Sequence, residues 1–265
     1  MSVLVYIEVS GNEIKKASLE AAVYGNKLAS QLGVSCHGIV VAETVPSGLE
    51  NCGIEKVFHV SNTNSFDAGF HATAISHVAG EQKSSTIVIS NTYSGKSIAP
   101  RLAVKQNASL CSGVVGLPSS ISPMVVKKGV YSGKAFAMVQ LNKEHKILAL
   151  TPNSIDMENI QGSAEVVSIS TDASAMAGYT VTDTQVQSGS IPLTEAELVV
   201  SAGRGLKGPE NWNLITDLAD VLKAATACSK PVSDMEWRPH AEHVGQTGIT
   251  IKPNLYIAIG ISGAI

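Results

Sequence analysis

Apolar residues along the first hundred positions alternate between two periods. Residues 3–9 form a β-branched run of the kind that fills a strand buried on both faces. The period then lengthens over residues 13–32, where Ile14, Ala17, Ala21, Leu28 and Leu32 fall roughly on one helical face, and Gly33 is placed to close the helix. Runs at 34–41 and 54–60 predict two more strands. Asp67 stands where an N-cap belongs, ahead of a helix with a buried stripe of Phe70, Ala74 and Val78 that ends at Gly80. Residues 86–90 predict another strand, followed by a loop, a helix over 101–106 and a strand at 111–117. Strands and helices alternating at this spacing predict βαβ units around a mostly parallel sheet.

The texture changes after Pro118. Residues 124–130, 134–141 and 146–150 are short apolar or alternating runs divided by Lys-Gly, Ser-Gly and charged turns, which predicts an antiparallel excursion attached to the sheet. One more strand is expected at 164–170. Residues 171–192 are rich in Ser, Thr, Asp, Gln and Gly, and 188–192 are the best linker candidate. A fresh strand–turn–helix pattern starts at 197. The chain is therefore expected to hold two α/β domains, an N-terminal one over 1–188 and a smaller, Rossmann-like one over 189–265. No fixed-period repeat or low-complexity tract is present.

Composition narrows the function classes. Among 265 residues, 19 Lys+Arg stand against 22 Asp+Glu, so a polybasic surface for nucleic acid or membrane is excluded. Aromatics at 5% are too sparse for base-stacking platforms, and a charged fraction of 15% excludes wholesale disorder. Cys36, Cys52, Cys111 and Cys228 are scattered with no Cys-x-x-Cys pair, which fits neither a disulfide framework nor a zinc site. The opening MSVLVYIEVS lacks a basic n-region and is interrupted at Glu8, unlike a secretory signal. The expectation is a cytoplasmic protein, or one of the mitochondrial matrix if the source is eukaryotic.

The strongest local signal is Gly203-Arg204-Gly205-Leu206-Lys207-Gly208, a G-x-G-x-x-G run after an apolar strand and before a helix expected over 211–223. Such glycines let a backbone approach a pyrophosphate, and a helix N-terminus presents free N–H groups. A nicotinamide site also needs an acid roughly 20 residues on, where this chain has Ala227-Cys228-Ser229-Lys230. Two further glycine loops, Val244-Gly245-Gln246-Thr247-Gly248 and Gly260-Ile261-Ser262-Gly263-Ala264-Ile265, flank a strand. Three such loops in one small domain suit a large cofactor lying across strand carboxyl ends.

Other motifs carry less. Ser94-Gly95-Lys96-Ser97 resembles the tail of a phosphate-binding loop but lacks its first glycine. His240-Ala241-Glu242-His243 is not a metal-binding H-E-x-x-H. His71 and His77 are expected at an interface or in solvent, and Asp217 and Asp220 on a solvated helix face. No G-x-S-x-G elbow, acid, base or nucleophile stands out, which fits a protein whose cofactor carries the chemistry.

VVSAGRGLKGPENWNLITDLADVL, CSKPVSDMEW, HVGQTG and LYIAIGISGAI, in this order and spacing, closely resemble the alpha subunit of electron transfer flavoprotein. VLVYIE and SGKSIAPRLA in the N-terminal half resemble it more softly. The resemblance implies FAD in the second domain and a heterodimer with a beta subunit. It also implies electrons taken from acyl-CoA or other flavin dehydrogenases in fatty acid β-oxidation and passed to a membrane quinone reductase. By the same resemblance Arg204 lies by the flavin edge or pyrophosphate, and Ser229 and Lys230 flank the ring. Val244, Gly245, Gln246 and Thr247 cover the isoalloxazine and ribityl chain, while Ser262, Gly263, Ala264 and Ile265 begin the phosphate cradle.

Two departures from the family pattern stand out. Lys230 replaces an Arg, keeping a charge but losing the planar fork. Family members also continue past GISGAI with a Gln-His pair, a strand and an Ala-Asp-Tyr-Gly motif, so the second domain is expected to lack its C-terminal portion. The alternatives are an NAD(P)-dependent oxidoreductase built on residues 203–208, or a non-catalytic subunit that binds a partner without flavin.

Overall fold

All six residues of the first strand, β1 (Ser2–Ile7), are buried, because both faces of its sheet are covered. The computed structural model describes residues 2–62, 66–131, 133–170, 182, 192–194, 196–245 and 248–262. The chain divides into two compact units, Met1–Asp183 and Thr184–Ile265.

After β1 the first unit continues through β2 (Val9–Ser10), β3 (Glu13–Ile14), α1 (Lys16–Leu32), β4 (Ser35–Ala42), β5 (Lys56–Ser61) and α2 (Ala68–Glu81). Next come β6 (Thr86–Ser90), α3 (Tyr93–Lys105), β7 (Ser109–Val114), β8 (Ser120–Ile121), β9 (Met124–Val130), β10 (Ala135–Leu141), β11 (Lys146–Leu150) and β12 (Glu165–Ser168). A ten-stranded sheet runs β10-β9-β7-β11-β6-β1-β4-β5-β12, with β8 beside β9. From β7 to β12 in that order every pairing is parallel, and β8, β9 and β10 pair antiparallel. Side chains alternate across the sheet. Val3, Val5 and Ile7 join Ala21, Tyr24 and Leu28 of α1 on one face, while Leu4 and Tyr6 join Ile75, Val78, Ile98 and Leu102 of α2 and α3 on the other. Gly25 lets α1 sit close, since a Cβ there would lie 2.4 Å from Val5 Cγ2.

Four expectations are corrected in the first unit. Residues 146–150 are not part of the antiparallel excursion: β11 lies parallel between β6 and β7, with Ile147 beside both Ile87 and Leu110. Its unbroken apolar run, Ile147 to Leu150, is buried throughout and suits a central strand. The alternation in β10, which leaves Phe136 and Met138 exposed, suits the edge hairpin it forms with β9. The first helix starts at Lys16 rather than at 13, because Glu13 and Ile14 pair with Val9 and Ser10 across a turn at Gly11, whose φ is +58°. The third helix starts at Tyr93 rather than at 101, capped by the Thr92 side chain, which accepts from Gly95 N. His71 is not solvent-facing. It is buried in α2, with Nδ1 2.8 Å from the Tyr6 hydroxyl.

The second unit carries β13 (Leu198–Ala202), α4 (Asn213–Leu222), β14 (Ala225–Cys228), α5 (Lys230–Asp234) and β15 (Leu255–Ile259). Its sheet, β14-β13-β15, is parallel throughout. Val200 and Ala202 pack with Trp212, Ile215, Ala219 and Val232, and Val199, Ala225 and Ala227 with Leu193 and Ala196. The helix expected from 211 begins at Asn213, because 3₁₀ turns at Arg204–Leu206 and Pro209–Trp212 precede it.

Candidate functional site

Parallel pairing puts the carboxyl ends of β13, β14 and β15 on one edge of the second unit, the edge where open α/β sheets bind ligands. Backbone hydrogen bonds lace the segments that leave these ends. Gly203 N donates to Ile259 O at 2.9 Å and Gly205 N to Gly260 O at 2.9 Å. Ser229 N donates to Ala202 O at 3.0 Å and Val244 N to Cys228 O at 3.1 Å. Asn211 Nδ2 secures the first loop by donating to Leu206 O at 2.8 Å.

The glycines in the 203–208 run serve this lacing. A Cβ on Gly203 would fall 2.4 Å from Gly260 O, and one on Gly205 2.6 Å from Gly260 Cα. What they admit is a neighbouring loop of the same chain, and the N–H groups of Gly203 and Gly205 are spent on it. The N–H groups of these two glycines are therefore not the ones free to meet a pyrophosphate.

Arg204 is exposed in the first 3₁₀ turn and has no ion-pair partner among the described residues. Ser229 is the half-buried N-cap of α5, its hydroxyl making no capping bond, and Lys230 follows it, exposed. Val244 is half-buried and bridged to Ile249, and Gly245 turns the chain at a φ of +133°. Ser262 is exposed two residues beyond Gly260. Among the predicted site residues, these six therefore gather around one edge. Gln246, Thr247, Gly263, Ala264 and Ile265 lie outside the described residues.

Two features of the site escaped the sequence reading. His243 is buried beside Cys228, its Nδ1 has no hydrogen-bond partner among the described residues, and the His240 ring lies 5.5 Å away. Burial, reinforced by His240, pushes its pKa down, so it stays a neutral donor or acceptor. Its only sequence cue was a failed metal motif. Arg238 forms a two-pronged ion pair with Glu242 and lies over the Trp212 ring, 5.3 Å from its centroid. Cys228 offers no thiolate, since burial and then Glu242 push it up to about 11.

The residues present fit an anionic, ring-bearing cofactor. Arg204, Lys207 and Lys230 are exposed cations at one sheet edge, and the buried His243 Nδ1 is an orphaned polar atom of the kind a bound group satisfies. Among the described residues no cluster able to hold a metal ion occurs.

Comparison with known proteins agrees. Residues 3–174 match the electron transfer flavoprotein domain, and residues 192–265 the electron transfer flavoprotein FAD-binding domain. The electron transfer flavoprotein alpha subunit of Syntrophomonas wolfei is 31% identical over 98% of this chain and 83% of its own length. The corresponding subunit of Pseudomonas aeruginosa is 30% identical over 100% and 85%, and that of Bacillus subtilis 29% over 99% and 82%. With both of its units matched, the chain belongs to the electron transfer flavoprotein family as an alpha subunit, and its second unit is that family's FAD-binding domain.

Proposed function

We propose that this chain is the FAD-holding half of a heterodimeric electron carrier. It pairs with a beta subunit, accepts electrons from acyl-CoA or other flavin dehydrogenases, and passes them to a membrane quinone reductase. The observation that carries the reading is one sheet edge at which the segments leaving three strands converge, with cations that have no ion-pair partner among the described residues. Glu242, one of the carboxylates near this edge, is already held by Arg238. Bound FAD supplies the redox chemistry, and the chain supplies position and charge.

In this reading Arg204 holds the pyrophosphate or flavin edge, and Ser229 and Lys230 flank the ring. Val244, Gly245, Gln246 and Thr247 cover the ring and ribityl chain, and Ser262, Gly263, Ala264 and Ile265 open the phosphate cradle. A nicotinamide site is less favoured. Its glycine N–H groups should face a pyrophosphate, whereas Gly203 and Gly205 donate to Ile259 and Gly260, and no acid ends β14.

The test is a visible absorption spectrum of the chain with FAD, alone and with a beta subunit, after desalting. Flavin bands that persist, and bleach when an acyl-CoA dehydrogenase and its substrate are added, support the proposal. A colourless protein under both conditions overturns it, and nicotinamide binding is then the reading to test.

A further inference from the structure

The first unit contains a cleft of about 300 Å³ that the flavin reading does not use. It opens at the carboxyl ends of β1 and β4, among residues at the first turns of α1, α2 and α3. This is the switch point of the sheet. From β1 the chain crosses through α1 to β4 on one side, and from β5 it returns through α2 to β6 on the other. A volume at the lower end of the ligand-pocket range suits one ring system with a small appendage, not a dinucleotide.

The position where a switch-point phosphate would sit is already filled by the chain. Glu8, 3% exposed, ends β1, and its carboxylate accepts from the Thr92 hydroxyl that caps α3 and from Lys15 Nζ at 3.0 Å. Glu43 adds an exposed carboxylate at the mouth. A phosphate would meet two carboxylates and a lysine already engaged, so the occupant carries no negative charge.

Polar and aromatic groups define the rest. Tyr6, buried and beside Glu8, has a pKa well above its ordinary value and keeps its proton, and its hydroxyl is hydrogen-bonded to His71 Nδ1 at 2.8 Å. Burial lowers the His71 pKa to about 4, so the ring is neutral, and in the tautomer where Tyr6 donates to Nδ1 its proton sits on Nε2. His71 is 5% exposed and lines the cleft, and its Nε2 has no hydrogen-bond partner among the described residues. Beside it the Phe66 ring, 41% exposed, lies 4.8 Å from the imidazole. The lining thus offers a ring face, a buried N–H donor, and a carboxylate acceptor at the mouth. Nucleobases carry an acceptor and a donor on one edge of a flat ring, which answers all three.

We propose that this cleft binds an uncharged nucleoside, its base against Phe66, an edge acceptor on His71 Nε2–H, and an amino or hydroxyl donor on Glu43. The proposal draws on residues of the first unit alone, so it stands or falls separately from the electron-carrier reading.

The test is calorimetric titration of the full chain with adenosine, guanosine, cytidine, uridine and their 5′-monophosphates, with and without saturating FAD. The expected result is one nucleoside bound in both conditions, and at least tenfold more tightly than its monophosphate. Phe66→Ala, at the rim, should weaken it at least fivefold, and Glu43→Gln should weaken it while leaving the melting temperature unchanged. The proposal is overturned if no nucleoside binds, if a monophosphate binds more tightly, if FAD abolishes binding, or if both variants bind like the parent.

Discussion

Buried histidine 71 has a consequence that reaches beyond the cleft it lines. Its pKa falls from 6.5 to about 4 through burial, partly opposed by Asp67. The unfolded chain therefore takes up a proton that the folded chain refuses. Stability from this group is complete above about pH 6.5 and declines as pH falls toward 4, by at most ~3 kcal/mol. Urea unfolding of the parent and of His71→Gln at pH 7.5 and 5 should show a steeper loss in the parent. Parallel losses would sink the assignment. Lys230 is the other residue with a direct readout. If its ammonium stands beside the bound ring, Lys230→Ala should lower the flavin potential by on the order of tens of mV, while Lys230→Arg should preserve it. A potential unmoved in the alanine variant removes Lys230 from the ring. Gly205 tests the loops themselves. In Gly205→Ala the new methyl must displace the backbone of Gly260, at a cost of about 1–3 kcal/mol to the second unit and with loss of bound flavin.

At the scale of elements, helix starts are governed by caps. Asp67 accepts from Phe70 N at 2.8 Å, and Asp67→Ala should destabilise the first unit by about 1 kcal/mol, with Asp67→Asn recovering most of it in thermal melts. The Asp67 cap was legible from sequence because a hydrophobic stripe begins immediately after it. Thr92 was not, because Pro100 falls inside α3 and masks its period. Short central strands are harder still. β11 and β9 both open as brief apolar runs, and only burial on two faces separates the parallel strand from the antiparallel one. In the second unit, the positions of Arg204, Ser229, Lys230, Val244, Gly245 and Ser262 were legible because glycine loops punctuate a strong strand–helix rhythm. His243 and the Arg238–Glu242 clamp were not, since neither a lone histidine nor an i,i+4 pair reveals which surface it will face.

For the molecule as a whole, the consequence of β11 lies in the order of synthesis. The strand that fills the middle of the first unit's sheet is among the last of that unit to be made. As a nascent chain lengthens, β6 and β7 are complete while the slot between them stands vacant, each with an edge unpaired. Such edges are templates for pairing with other chains. Long-range parallel closure is also slow, because loop entropy must be overcome before the contacts reward it. A fragment of residues 1–145 should therefore aggregate or unfold without cooperativity. Extension through residue 170 should restore a single sharp transition in circular dichroism, and a cooperative fold already at 145 would contradict this. The unit is closed from within by a late keystone, which makes the interval between residues 90 and 150 the period when this chain most needs protection from its neighbours.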